Sequence, residues 1–296
     1  MSEKPKPLWL TMVLTAAALL GFAGNSLLCR LALAEHRIDA AVFTVVRLAS
    51  GALVLALVRL GHGMKTRRGG NWASGAALFL YAAPFSFAYL RIGAGLGALV
   101  LFASVQITMI SWGLLRGERP TAGTWVGILI AVGGLIALTV PGKSAPDLTG
   151  TTMMAFAGFM WGVYSLRGRG AAESPLAATA GNFIRSLPLA GGLAVAGLLN
   201  AILSNSPAVP TVTLKGVALA VGSGSIASGL GYSLWYAALP GLTATNAAVV
   251  QLLVPLVATA GGIWLLGEQL VPRVALSGVA ILVGVATVIS CRQRRQ

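Results

Sequence analysis

The stretch Leu114-Leu115-Arg116-Gly117-Glu118-Arg119-Pro120 closes one apolar run, and Leu265-Leu266-Gly267-Glu268-Gln269-Leu270-Val271-Pro272 closes another, with the Gly-Glu pair displaced by 150 positions. The run after each copy repeats too. Gly127 and Gly133 bracket five aliphatic residues, and so do Gly278 and Gly284, displaced by 151. Arg47-Leu48-Ala49 and Arg185-Ser186-Leu187 sit at matching places further upstream in each half. Similarity at such a long period marks a chain built from two copies of one unit.

What the unit consists of follows from composition. Hydrophobic residues make up 56% of the 296 and charged ones only 9%, far outside the range of a soluble domain. A helix needs about 20 apolar residues to cross the hydrocarbon layer. Ten such runs can be laid on the chain, over 9–28, 40–58, 72–90, 95–115, 121–140, 149–166, 176–199, 217–236, 242–266 and 274–290. Prolines punctuate this parse: Pro120, Pro141, Pro146, Pro175, Pro207, Pro210, Pro240 and Pro272 lie between runs, whereas Pro84, Pro188 and Pro255 lie inside them. A proline within a spanning helix frees a carbonyl, so it marks either a kink beside a cavity or a packed kink with no ligand role.

The expected fold is therefore an all-α membrane protein of ten transmembrane helices, in two five-helix repeats over 1–148 and 149–296. Five is odd, so the second repeat enters from the opposite side and the repeats are inverted. Lys and Arg fall unevenly on alternate connections, thirteen on one set and six on the other, which predicts that the N-terminus and C-terminus are both cytoplasmic. The first run follows Lys4 and Lys6 as a signal peptide would, but it is too long for one and is expected to stay as a helix.

Several function classes drop out. The net charge of +14 sits between apolar runs rather than on one patch, so nucleic-acid binding is not expected. Cys29 and Cys291 make no framework, and no zinc, nucleotide or hydrolase motif occurs, so no metal and no cofactor are expected. No Asp, Glu or His lies inside any run, which removes the groups of an intramembrane protease and argues against an enzyme.

With these motifs together the chain resembles the ten-helix EamA transporters of the drug/metabolite transporter superfamily. The resemblance rests on Gly21-Phe22-Ala23-Gly24-Asn25, Arg47-Leu48-Ala49, Gly117 to Pro120, and Trp161-Gly162-Val163-Tyr164 opening the second half. Leu20 stands where many relatives carry tryptophan, and proline follows Gly267-Glu268 two residues late. The resemblance implies multi-pass residence in a bacterial inner membrane and export of small metabolites or drugs. Within that family the chain is similar to the YddG-like exporters of aromatic amino acids.

A transport site needs aromatic and polar side chains on one helical face near mid-membrane. Tyr81, Phe85 and Tyr89 stand at i, i+4 and i+8, either lining a cavity or packing at the interface. Tyr232, with Ser228 one turn before it and Trp235 three residues after, forms the counterpart. Phe102 and Gln106, Gln251 and Pro255, and Asn25 add groups that face either a wet cavity or another helix. Trp161 and Tyr164 are the expected aromatic wall. Arg47 and Arg185 are the embedded charges; inverted symmetry suggests one shared gating or structural role, bonding backbone carbonyls or a helix end. Pro84, Pro255, Glu118 and Glu268 join that structural group, the two acids as caps.

The expected function is export of neutral or zwitterionic metabolites by alternating access, amino acids first and aromatic ones above others. The rival is a proton-coupled multidrug or quaternary-cation exporter, which the missing embedded carboxylate disfavours. Expected partners are a small-molecule substrate and the lipid bilayer, with no nucleic acid and no obligate protein partner.

Overall fold

The computed structural model describes residues 7–33, 36–61, 69–92, 94–139, 147–169, 171, 174–203, 211–266 and 272–293. Among them the structure is helical throughout, with one isolated bridge between Ile38 and Val212. Apolar sequence in a bilayer must bond its backbone internally, and helices do this segment by segment.

The first half contains α1 (Leu8–Leu33), α2 (Ala40–Gly61), α3 (Trp72–Ala88), α4 (Ala94–Leu115) and α5 (Ala122–Thr139). The second contains α6 (Leu148–Arg169), α7 (Pro175–Leu203), α8 (Leu214–Gly222), α9 (Gly231–Ala238), α10 (Ala244–Val250), α11 (Leu253–Leu266) and α12 (Pro272–Gln293). Side-chain caps start several of them, α3, α8 and α10 among these. Asn71 accepts from the Ser74 amide, Thr213 from Gly216 and Thr243 from Asn246, each satisfying an amide that a helix start leaves open.

Two expected runs are not continuous α-helices. The run over 217–236 becomes α8, an eight-residue π segment (Ser223–Leu230) and α9. Gly222, Gly224, Gly229 and Gly231 frame that segment, and their missing side chains let the backbone widen and approach its neighbours. The run over 242–266 breaks at Gln251 and Leu252 into α10 and α11. Pro255 has no amide to bond the Gln251 carbonyl, which instead accepts from the Val254 amide at 3.0 Å.

Among the described residues, four stretches are long and apolar enough to cross a membrane by length and composition: Leu8–Leu33, Ala40–Gly61, Pro175–Asn200 and Leu214–Gly241. Leu20, Leu60, Leu129 and Trp264 stand exposed on the outer surface, a distribution that only lipid makes favourable. This is a membrane protein.

Packing follows small residues. A Cβ on Gly224 would strike the Arg47 carbonyl, so the π segment lies directly against α2; Gly158 does the same for α6 against Leu101 of α4. At Gly127 a Cβ would lie 2.7 Å from the Gly284 carbonyl, and at Gly284 it would lie 2.6 Å from that of Gly127, so α5 and α12 meet backbone to backbone. Elsewhere α6 packs on α3 and α4, α1 on α8, α9, the π segment and α11, and α2 on α7. These contacts leave one closed aromatic compartment between the halves.

Candidate functional site

Arg47 is the bulkiest fully buried charged side chain among the described residues, 1% exposed, on α2 about 10 Å past its first residue by helical rise. Its Nε donates to Ser228 Oγ at 3.0 Å, and Nη2 donates to Tyr232 OH at 2.6 Å and to Tyr81 OH at 3.2 Å. The guanidinium carbon lies 5.3 Å from the Tyr81 ring centroid and 5.5 Å from that of Phe85, within cation–π range. Nη1 has no hydrogen-bond partner. The charge is thus held by hydroxyl dipoles and ring faces, with no carboxylate among its described partners.

The residues holding it also enclose a space. Phe22, Asn25, Ser26, Tyr81, Phe85, Leu101, Phe102, Trp161 and Tyr232 line it. Trp161 is central, with ring centroids at 4.6 Å from Tyr232, 5.0 Å from Tyr81 and 5.1 Å from Phe22. Such offset and edge contacts add to burial alone. The space measures about 20 Å³. That is room for one water-sized sphere, so this conformation is closed around its centre.

Of the expected substrate-contacting residues, Asn25, Tyr81, Phe85, Phe102, Trp161 and Tyr232 come together at this space. Four others do not line it. Trp235 is fully buried and donates from Nε1 to Ser165 Oγ at 3.0 Å, which makes it a joint between α9 and α6. Tyr164 stacks behind Trp161 at 5.6 Å and 27°. Gln106 donates from Nε2 to the Ala248 carbonyl at 2.7 Å, while its Oε1 is buried without a partner. Gln251 accepts from Trp161 Nε1 at 2.7 Å and donates to the Ala247 carbonyl at 2.9 Å. Both amides therefore brace the break between α10 and α11, and Gln251 holds the Trp161 ring in place.

The two arginines take different bonding partners. Arg185 donates from Nη1 to the carbonyls of Gly69 (2.7 Å) and Gly181 (2.9 Å), reaching towards one end of the bundle. Arg47 bonds side-chain hydroxyls in the interior. The reason is local: the glycine-rich π segment packs onto α2 at Arg47 and brings Ser228 and Tyr232 beside it. Phe22, Ser26 and Leu101 also line the space without having been singled out, because one apolar or hydroxyl side chain on a spanning helix carries no signature of its neighbours.

A second cavity, of about 850 Å³, lies at the end of the bundle that holds Asn71 and Arg167. Volumes of about 300–1,000 Å³ are typical of small-molecule sites. Asn182 and Tyr236 are among its walls, and the Tyr236 hydroxyl donates to the Tyr164 carbonyl at 3.0 Å. Tyr236, Tyr164 and Trp161 thus form a partition, a row of rings stacked at Trp161–Tyr164 and tilted at Tyr164–Tyr236, between the larger cavity and the closed centre.

Both ends are tied across the halves. At one, the Asp39 amide donates to the Thr211 carbonyl at 2.8 Å and the Thr213 amide to Arg37 at 2.9 Å. At the other, Glu118 accepts from the amides of Ala244 (2.7 Å) and Thr245 (3.1 Å) and from Thr245 Oγ1 (2.8 Å), and pairs with Arg169 at 3.4 Å. Glu268 lies outside the described residues. Pro84 lies within α3, one residue before Phe85. Among the described residues no group of three His, Cys, Asp or Glu side chains could hold a metal ion.

Comparison with known proteins places the chain. Residues 148–290 match the EamA-like transporter family. The uncharacterized protein PA1977 of Pseudomonas aeruginosa is 49% identical over 286 residues, covering 96% of each chain. An uncharacterized transporter of Archaeoglobus fulgidus is 25% identical, covering 93% of this chain and 96% of its own, and the uncharacterized transporter YwfM of Bacillus subtilis is 26% identical over 76% of each. A crystal structure shares the fold at a TM-score of 0.73 and 20% identity, over 95% of this chain and 99% of the other. The chain is a membrane transporter and belongs to the EamA-like transporter family.

Proposed function

We propose that this transporter exports small zwitterionic metabolites across a bacterial inner membrane by alternating access, amino acids first and aromatic ones above others. One observation carries the reading. Behind the walls of the aromatic compartment lie two orphaned polar atoms of opposite kind, the donor Nη1 of Arg47, whose guanidinium rests on the wall residues Tyr81 and Phe85, and the acceptor Oε1 of Gln106, one turn after the wall residue Phe102, and no described acidic side chain bonds to either residue. A zwitterion brings an acceptor and a donor of its own, and an aromatic side chain suits the ring-lined wall between them. A cationic drug would meet a buried positive charge with no anchor, which disfavours the multidrug alternative.

The packing supports alternating access between inverted halves. Exchanging α1 with α6, α2 with α7, α3 with α8 and α9, α4 with α10 and α11, and α5 with α12 turns the contacts of α6 with α3 and α4 into those of α1 with α8, α9 and α11. Contacts of α2 with α7 and α5 with α12 map onto themselves. Two near-equivalent arrangements of this kind are what such a cycle exchanges. With both termini cytoplasmic, the 850 Å³ cavity faces the cytoplasm and the partition is the inner gate of a closed state.

The test is uptake into liposomes containing the purified protein, at equal pH on both sides. The panel holds Phe, Trp, Thr, Met, a nucleoside and a quaternary ammonium. Saturable amino-acid flux that falls in Trp161→Ala and Gln106→Ala supports the proposal. Flux of the cation alone, or flux only under a pH gradient, transfers the function to a proton-coupled drug exporter.

A further inference from the structure

Arginine does not lose its proton in a protein, so its charge must be answered wherever the chain buries it. In this protein the answer is incomplete. Three of the five N–H bonds face neutral hydroxyls and the Nη1 pair faces no acceptor. Three described residues touching the guanidinium, namely Tyr81, Phe85 and Tyr232, also line the central space. The described acids are committed elsewhere: Asp39 accepts from the Ala41 and Val42 amides, Glu118 from Ala244 and Thr245, and Asp147 pairs with Arg91 at 3.6 Å.

Arg185 supplies the contrast. Its charge rests on two carbonyls near a bundle end, the arrangement of a purely structural embedded arginine. Arg47 has hydroxyls that rotate and can be given up, on a planar fork whose remaining edge fits a carboxylate in two parallel bonds. We infer that Arg47 is the docking point for the carboxylate of the transported solute, Nη1 making the first bond and Tyr81 and Tyr232 holding the fork in its plane. The inference rests on the transporter reading and sharpens it: the substrate must carry a carboxylate, whereas its amino group is dispensable. In the closed arrangement the charge rests on the two tyrosines and Ser228, and a solute carboxylate completes it.

The experiment measures ligand-induced thermal stabilisation of the purified full chain in detergent, read by tryptophan fluorescence. The probes are phenylalanine, its amide, phenethylamine and phenylacetate, followed by liposome flux of the same four. Wild-type protein should bind phenylalanine and phenylacetate about 10- to 100-fold more tightly than the amide or the amine. Arg47→Gln should abolish that preference, and Arg47→Lys, which keeps the charge and loses the fork, should retain part of it. The wild-type panel needs no variant, so a misfolded Arg47→Gln does not shield the inference. Equal binding of phenylalanine and its amide overturns it, as does failure of the wild-type protein to bind either carboxylate. A carboxylate preference that survives in folded Arg47→Gln overturns it too. Carboxylate-selective binding without flux keeps the Arg47 site and overturns transport of this class, while flux of amide and zwitterion alike keeps the transporter and overturns the site.

Discussion

Removing the Glu118 carboxylate should loosen one end of the molecule by an amount that can be built from its bonds. The carboxylate accepts two amides at the start of α10 and the Thr245 hydroxyl, and it pairs with Arg169. A cap of this kind is worth about 0.5–2 kcal/mol, and hydrogen bonds to a charged acceptor about 1.5–3 kcal/mol each. The Arg169 pair is 32% and 19% exposed, so it contributes under about 1 kcal/mol. Thr243 still caps the Asn246 amide in a variant, which limits the loss. Glu118→Ala should therefore cost about 2–4 kcal/mol, Glu118→Gln about half of that because one carbonyl acceptor survives, and Arg169→Met about 1–2 kcal/mol, because it also removes the bond from Arg169 Nε to the Leu242 carbonyl at 2.8 Å. Denaturant unfolding of the purified protein in detergent, followed by tryptophan fluorescence, should place the wild-type midpoint highest, Arg169→Met and Glu118→Gln together below it, and Glu118→Ala lowest. If Glu118→Ala unfolds with the wild type, or if Arg169→Met costs as much as Glu118→Ala, the carboxylate does not hold the two halves together as described.

Three other outcomes are expected. Gly224→Val places a side chain into the Arg47 carbonyl and Ser50, so it should abolish folded, monodisperse protein on gel filtration, while Ile226→Ala on the exposed side of the same segment leaves the elution unchanged. Gly168→Ala drives a methyl group into the Tyr236 ring and should displace the aromatic partition, lowering liposome flux by about tenfold with a stability loss of about 1–3 kcal/mol in thermal unfolding. Trp161→Phe strands the buried Gln251 carbonyl and should cost about 1–3 kcal/mol beyond the lost ring area; combined with Gln251→Met the loss should shrink, and an additive double-mutant cycle would show that the 2.7 Å bond carries no energy.

Much of the helical layout was legible because crossing a bilayer imposes its own length, and Pro120, Pro175, Pro240 and Pro272 mark the gaps between runs. The interruptions were not, since a π segment and a broken helix share the hydrophobicity of a continuous one. Their signals were present in another form: four glycines from 222 to 231 for the widened turn, and Pro255 for the break four residues upstream. The aromatic compartment was partly readable, because Tyr81 and Phe85, or Trp161 with its neighbours, recur at helical spacing. Which partner an amide or a guanidinium takes was beyond that reasoning. Gln106 and Gln251 bond backbone carbonyls exposed by the break, and Arg47 and Arg185 diverge because the hydroxyls of Ser228 and Tyr232 stand beside the first and the carbonyls of Gly69 and Gly181 beside the second.

The close meeting of Gly127 on α5 with Gly284 on α12 has a cost in time during synthesis. At about 5–20 residues per second, the ribosome delivers α12 roughly eight to thirty seconds after α5 has reached the bilayer. For that interval the glycine notch on α5 faces lipid or whatever helix drifts past, including the same helix of a neighbouring nascent chain. The final helix is therefore what ends the exposure, and chains cut short before it should be the ones that cells degrade or that associate wrongly.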